Sequence, residues 1–301
     1  MTYTTPTLWT RLFRRHVAVA CLFFLGAMII LAILGPFFTG YGYEQTSKYQ
    51  LEPPSARHWC GTDFHGRDLL TRIFFGARIS LTVGLIGALV SLTVGVVYGM
   101  VSGYTGGRTD TVMMRLVDIL YSLPRLVFVI VLITGLDQII RVTFQKMGLV
   151  AWTSSARIVL LFVGLGIVQW LTMARIVRGQ VLSLKEQQYI MAARAMGVPT
   201  VQILTRHLLP NLGGIIIVYL TLTIPEVILQ ESLLSFLGLG IQAPQSSWGS
   251  LIADGAKAIN PIRFDWWLLV FPGLAMAITL LSLNLLGDQL RDLLDPRTAK
   301  K

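Results

Sequence analysis

The sequence predicts an all-α integral membrane protein of six transmembrane helices, and three observations carry that reading. Hydrophobic residues make up 54% of the 301 residues and charged residues only 13%. An ordinary soluble domain carries about 25% charged residues, so this chain has too few to cover itself in water. Six apolar stretches are also long enough to cross a bilayer, at about 20 residues each. Finally, lipid forbids unpaired backbone groups, and a helix satisfies all of its own.

The stretches run approximately Val17–Phe38, Ile79–Met100, Val117–Leu136, Ile158–Val177, Leu212–Leu237 and Trp266–Leu286. Arg11, Arg14 and Arg15 precede the first, as in a signal peptide. That run is longer than a typical signal core and lacks a small-residue cleavage site, so it reads as an uncleaved span. In the second span Gly84, Gly87, Ser91, Gly95 and Gly99 recur near helical spacing and let another helix approach closely. A Gly-rich turn, Ser102–Thr109, leads to the third, where Arg115 and Asp118 are one turn apart and expected to pair along the helix. The fourth is separated from the fifth by a polar insert, Arg178–Asn211.

The fifth span holds Pro225-Glu226 and Gln230-Glu231. Proline frees a carbonyl and kinks a helix, and ionisable groups within a span face a cavity or a partner. Glu226 and Glu231 are therefore candidates for lining a translocation path. Asn284 in the sixth span joins them, with an interhelical hydrogen bond as its expected role.

The formal charge is +10. The basic residues are spread between the apolar blocks with no run of five, which fits anionic headgroups rather than a nucleic-acid track. Their distribution favours a cytosolic N-terminus by a small margin. Cys21 and Cys60 make no disulfide framework. His58, Cys60 and His65 share one loop without a fourth ligand in register, so no metal site is expected.

The insert between the fourth and fifth spans carries the most information. Ser183-Leu-Lys-Glu186 has the form of a capping box, predicting a short helix from near Leu184. Gly197 suits the left-handed position after a helix end, and Val198-Pro199 begins a second helix. Pro210-Asn211 is expected to end that helix before the fifth span. Tyr189, Ala192, Ala193 and Met196 are expected to share one face. The result is a stiff amphipathic hairpin outside the membrane, shaped for docking.

At this insert the sequence resembles a known family. Tyr189-Ile-Met-Ala-Ala-Arg-Ala-Met-Gly197, followed by Arg206-His-Leu-Leu-Pro-Asn211, is similar to the coupling-loop signature of binding-protein-dependent ABC permeases. Met191 stands where that family often has glutamate. Further segments agree in order: Gly61-Thr-Asp-Phe-His-Gly-Arg-Asp68, Gly76-Ala-Arg-Ile-Ser80, Met114-Arg-Leu-Val-Asp118, Glu231-Ser-Leu-Leu-Ser-Phe-Leu-Gly-Leu-Gly240, Ser247-Trp-Gly249 and Asn284 to Pro296. Together, from about Trp59 to Pro296, they resemble the C-type subunit of the oligopeptide, dipeptide and nickel permease branch.

The resemblance implies a type I importer permease in a bacterial inner membrane, with both termini cytosolic. It implies a transmembrane subunit that forms half of a path for short peptides, with nickel or another small solute as the alternative cargo. Implied partners are a second homologous permease, two ABC ATPase subunits, a periplasmic or lipid-anchored solute-binding protein and membrane lipid. No cofactor belongs to this chain, since ATP and Mg would be bound by the ATPases. Residues implied in ATPase coupling are Glu186, Tyr189, Met191, Ala192, Ala193, Arg194, Gly197, His207 and Pro210. Gly61, Asp63, Gly66, Arg67 and Asp68 form the periplasmic-loop motif, which contacts the binding protein or holds a structural turn. The expected organisation is a cytosolic segment 1–16, a first span with periplasmic loop 17–78, and a five-helix core 79–287 containing coupling loop 178–211. A cytosolic tail, 288–301, follows.

An enzyme reading finds no support. There is no His-Glu-x-x-His and no phosphate-loop motif. Gly238-Leu-Gly-Ile-Gln-Ala243 follows a membrane helix rather than a strand, so it is no dinucleotide fingerprint. An ATPase-independent secondary transporter would be expected to show inverted repeats, and no repeat is evident.

Overall fold

The computed structural model describes residues 8–148, 153–241, 245–259 and 264–294. Among these the chain is helical. The helices are α1 (Leu8–Phe13), α2 (His16–Thr39), α3 (Leu69–Thr105), α4 (Gly107–Ser122), α5 (Arg125–Lys146) and α6 (Thr153–Leu184). They continue with α7 (Gln188–Ala195), α8 (Thr200–Gln202), a π-helical turn Ile203–Leu208, α9 (Leu209–Phe236), α10 (Trp248–Ala258) and α11 (Trp267–Leu294). The chain divides into two compact units. One comprises residues up to Gly84 and from Ile224 onward, and the other Leu85–Thr223.

In the first unit, α2 and α11 pack against the start of α3, the end of α9 and α10. Trp248 is wholly buried there. Its indole N–H donates to the Ile73 carbonyl at 3.1 Å, and its backbone N–H donates to Ser80 Oγ at 3.1 Å. Arg15, at the head of α2, donates to Gln289 Oε1 on α11 at 2.8 Å.

In the second unit, α6 seats on α3 through glycines. A Cβ at Gly95 would lie 2.6 Å from Met173 Cβ, and one at Gly99 would lie 2.5 Å from the Ala174 carbonyl oxygen. From the other side, a Cβ at Gly166 would lie 2.6 Å from Val90 Cβ. The small-residue stripe of the second span is therefore a helix-packing surface, with van der Waals contact in place of the hydrophobic force that lipid removes. At the end of this seam, Arg178 on α6 holds Asp110 on α4 bidentately, at 2.5 and 2.6 Å, and Ser102 Oγ donates to the same carboxylate at 2.5 Å.

Among the described residues, four helices are each long and apolar enough to cross a membrane: His16–Gly35 within α2, Leu69–Thr105, Thr200–Phe236 and Trp267–Leu294. The third expected span is not one rod. Gly107–Ser122 and Arg125–Leu136 meet the criterion only together and are bent by 89° between them. Proline disfavours the α conformation at the residue before it, and Leu123 ahead of Pro124 is extended, with φ −76° and ψ 139°. The fourth expected span lies within α6, whose 32 residues reach about 48 Å; several of its side chains lie outside the described residues.

Three local expectations are corrected. The turn Ser102–Thr109 contracts to Gly106, because α3 runs on to Thr105 and α4 begins at Gly107. Asp118 accepts from Arg175 on α6 at 2.7 Å rather than from Arg115. Asn284 makes no hydrogen bond among the described residues, since it continues the exposed stripe Leu274, Ile278 and Leu281 of α11 and points away from the neighbouring helices.

The glycine seat gives a direct test. Gly99→Val forces a branched side chain against the Ala174 carbonyl and is expected to destabilise the assembled protein by about 1–3 kcal/mol. Gly213→Ala, where nothing lies within 4 Å, should change stability by less than about 0.5 kcal/mol. Thermal melting in detergent separates the two.

Candidate functional site

The hairpin between α6 and α9 begins later than the capping pattern predicts. The Lys185 N–H still donates to the Val181 carbonyl at 2.9 Å, so Ser183 sits inside the last turn of α6 and cannot serve as a cap. Gln187 precedes α7 without a side-chain cap, and Glu186 lies exposed in the turn. The far end matches expectation. Gly197 has φ +76°, and the Val198 N–H donates to the Ala193 carbonyl at 3.1 Å. This is the Schellman closure that glycine makes at low cost.

Helix α7 is fixed on its inner side. Ile190 is fully buried and Ala193 nearly so, within a cluster containing Met100, Val177, Val181, Ile203 and Leu208. Lys185 Nζ donates to the Gly103 carbonyl at 3.0 Å, and Arg194 Nε donates to Tyr104 Oη at 3.1 Å with its guanidinium 4.4 Å from that ring's centre. The outer side is bare: Tyr189, Met191, Ala192 and Met196 are exposed, Met196 by 76%. The expected common face of Tyr189, Ala192, Ala193 and Met196 is therefore divided, because the 100° step per residue turns Ala193 inward with Ile190 and leaves Ala192 outside.

Pro210 does not end the second helix. Pro199 precedes α8, and the chain stays helical from Thr200 to Phe236. A proline in a helix clashes with the carbonyl four residues earlier. Here the π-helical turn Ile203–Leu208 opens the backbone immediately before it. Asn211 Nδ2 donates to the His207 carbonyl at 2.6 Å, satisfying one of the displaced acceptors. His207 is half-buried in that turn and Pro210 is exposed.

The loop motif 61–68 is built around two buried carboxylates. Asp63 accepts from the His65 N–H at 2.8 Å, the Arg67 N–H at 2.9 Å, Arg67 Nε at 2.7 Å and the Arg72 guanidinium. Asp68 takes His58 Nδ1 at 2.9 Å on one oxygen and the Thr71 N–H and Oγ1 at 2.8 and 2.7 Å on the other, which caps the start of α3. Gly66 has φ +71°, and a Cβ there would lie 2.2 Å from the Ser47 carbonyl oxygen. Of the two roles expected for the motif, these contacts describe the structural turn. His58 is committed to Asp68, and burial, with the Asp68 charge beside it, pushes the Cys60 thiol up to about 11.

The three path candidates separate. Glu231 is fully buried, accepting on Oε1 from Ser235 Oγ at 2.6 Å and Ser247 Oγ at 2.8 Å. Ser247 in turn caps α10 through the Ser250 N–H. Glu231 thus ties α9 to α10 within this chain. Glu226 lies on the exposed face of α9 that also carries Leu229, Leu233 and Phe236, and Asn284 lies on the exposed stripe of α11. Sequence reasoning did not single out Asp110, although an aspartate in the first turn of a helix beside a Gly-Gly break is a visible signal.

Burial raises the Asp63 pKa, but Arg72 and the Arg67 backbone and side chain outweigh it and hold the carboxyl below its ordinary 3.8. A lowered folded-state pKa stabilises fully above the ordinary value, and that contribution is lost as pH falls through the lowered one. The melting temperature is therefore expected to hold down to about pH 4 and fall below it. Asp63→Ala strands the Arg72 charge and should cost about 3–5 kcal/mol at pH 7, with a smaller further fall in acid. Equal acid losses in both proteins would contradict this account of Asp63.

Comparison with known proteins agrees with this architecture. Residues 95–300 match the model of the binding-protein-dependent transport system inner membrane component, and residues 7–54 match the N-terminal TM domain of oligopeptide transport permease C. The dipeptide transport system permease protein DppC of Bacillus subtilis (strain 168) is 44% identical over 294 residues, covering 97% of this chain and 86% of the relative. The oligopeptide transport system permease protein OppC of Escherichia coli (strain K12) is 45% identical, covering 95% and 89%. OppC of Haemophilus influenzae (strain ATCC 51907 / DSM 11121 / KW20 / Rd) is 44% identical, covering 95% and 86%. With its multiple apolar helices and these matches along nearly its whole length, the chain belongs to the family of binding-protein-dependent transport system inner membrane components, on the permease C branch.

Proposed function

We propose that this chain forms half of the translocation path of an ATP-driven importer for short peptides and delivers the ATPase stroke to the membrane helices through α7. The observation that carries the proposal is the bare outer face of α7, Met191, Ala192 and Met196, on a helix whose inner face is locked to α3 and α6. Exposed apolar side chains on a rigid helix suit a groove on a partner protein. Peptide cargo is supported by the names of the dipeptide and oligopeptide relatives.

In this reading a second homologous permease completes the path, two ATPase subunits bind ATP and Mg below, and a solute-binding protein delivers cargo from outside. Both termini and the coupling loop 178–211 face the cytosol, and the loop centred on Asp63 faces outward. Closure of the ATPases displaces α7, and the close seam between α3 and α6 carries the movement into the spans. Such coupling needs an element with two arrangements that both sites bias. Glu226 and Asn284, on exposed faces of α9 and α11, are the candidates for contact with the path or the second permease.

The test is ATP-dependent uptake of a tripeptide into vesicles holding the chain with its permease, ATPase and binding-protein partners. Met196→Glu alters only an exposed side chain and should lower uptake at least tenfold while the spans stay inserted and the ATPases release or uncouple. Unchanged uptake, or uptake that needs no ATPase, would overturn the proposal.

A further inference from the structure

The structure assigns a phospholipid site to the trough beside the α2–α3 seam, where an anionic headgroup sits against Arg57 and an acyl chain lies over Leu31, Phe38, Leu70 and Phe74. The seam itself is closed. A Cβ at Gly35 would lie 2.5 Å from Phe74 Cδ2, Arg78 Nη2 donates to the Ile33 carbonyl at 3.1 Å, and the Thr39 and Thr71 hydroxyls are hydrogen-bonded at 2.7 Å. Alongside it lies a cavity of about 560 Å³, floored by those four apolar side chains and rimmed by Tyr41, Arg57 and Trp59. This volume falls in the range of small-molecule pockets, about 300–1,000 Å³.

The order of chemistry along the trough matches one class of occupant. The floor belongs to helices apolar enough to cross a membrane, and the rim begins where α2 ends at Thr39. Trp59 and Phe38 are each 72% exposed, and Phe37 is 83% exposed. Aromatic rings at the end of a span sit at the headgroup level. Above them the Arg57 guanidinium donates to Tyr49 Oη at 3.1 Å and keeps an exposed face. The carboxylate that also borders the cavity, Asp68, has both oxygens occupied by His58 and Thr71. A helix of another protein would have to place a carboxylate opposite Arg57 to pair that charge as it covered it. A phospholipid supplies an anion there and a chain below.

The site does not depend on the transport reading; only the leaflet that feeds it follows from the orientation proposed above. The test is native mass spectrometry of the purified importer assembly, delipidated and then titrated with dioleoyl phosphatidylglycerol or dioleoyl phosphatidylcholine. The wild type is expected to retain phosphatidylglycerol in preference. Arg57→Glu should reduce that retention at least fivefold, and Leu70→Trp, which fills the floor, should abolish it for both lipids. Phe23→Ala, on an exposed part of α2 away from the trough, should change nothing. Displacement of the lipid by 10-fold excess inorganic phosphate would overturn the proposal, as would equal retention by wild type and Leu70→Trp. Loss of the second permease from the Leu70→Trp assembly, with no lipid retained by the wild type, would overturn it in favour of a protein occupant.

Discussion

The backbone-to-backbone approach of α3 and α6 is the contact on which the rest of the second unit depends. In water two helices with apolar faces are driven together, but in lipid that force is absent and only close packing and hydrogen bonds remain. Gly95, Gly99 and Gly166 supply the closeness, bringing the Ala174 carbonyl to within 2.5 Å of where a Gly99 side chain would begin. The ion pair Asp110–Arg178 then ties the first turn of α4 to α6. Helix α7 inherits its position from that seam, through Lys185 on the Gly103 carbonyl and Arg194 on Tyr104. Loosening α6 would remove part of the packing that sets the direction of the outer face of α7.

The buried carboxylates of the first unit follow a related logic. Asp63 lies in the loop before α3, Asp68 at the head of α3 and Glu231 inside α9, and each gathers donors from two separate segments. Asp63 closes its loop onto Arg72, Asp68 caps α3 and holds His58, and Glu231 collects Ser235 and the cap residue Ser247. Such partners offset part of the cost of burying a carboxyl group. Glu226, five residues before Glu231 and also in α9, is exposed instead. Two glutamates five residues apart in one apolar stretch therefore differ in burial, one enclosed and one exposed.

The features legible in the sequence were those with a local physical cause. The glycine spacing of the second span needs only helical periodicity, and Gly197 needs only its tolerance of positive φ. The apolar stretches are visible because lipid demands them. What escaped reading needed knowledge of a neighbour. Ser183-Leu-Lys-Glu186 fits a cap, yet α6 continues through Ser183 because its last turn is packed on α3. Pro210 should stop a helix, yet a π-helical turn absorbs it, and that accommodation leaves no mark in composition. Pro124 was the reverse case: its effect is local, but a long apolar run concealed it. The arginine that pairs with Asp118 comes from α6, 57 residues away, and no intrahelical spacing points to it.

The two adjacent alanines of α7 show why the hairpin has the sequence it has. Ala193 turns inward and is small enough to let α7 lie against the cluster of Val177, Val181 and Ile203. Ala192 turns outward and leaves the bare face equally low, between Met191 and Met196, which are unbranched and adapt to whatever covers them. A larger residue at Ala193 would lift α7 from α6, and one at Ala192 would hold a docked partner away from the helix axis. Small residues are thus needed on opposite sides for separate contacts, and the helix between them is too short and too firmly closed at Gly197 to bend. In the coupling proposed for α7, an element clamped on one side and bare on the other would transmit displacement rather than absorb it. That proposal rests on the geometry of a short helix whose inner face is packed and whose outer face is exposed.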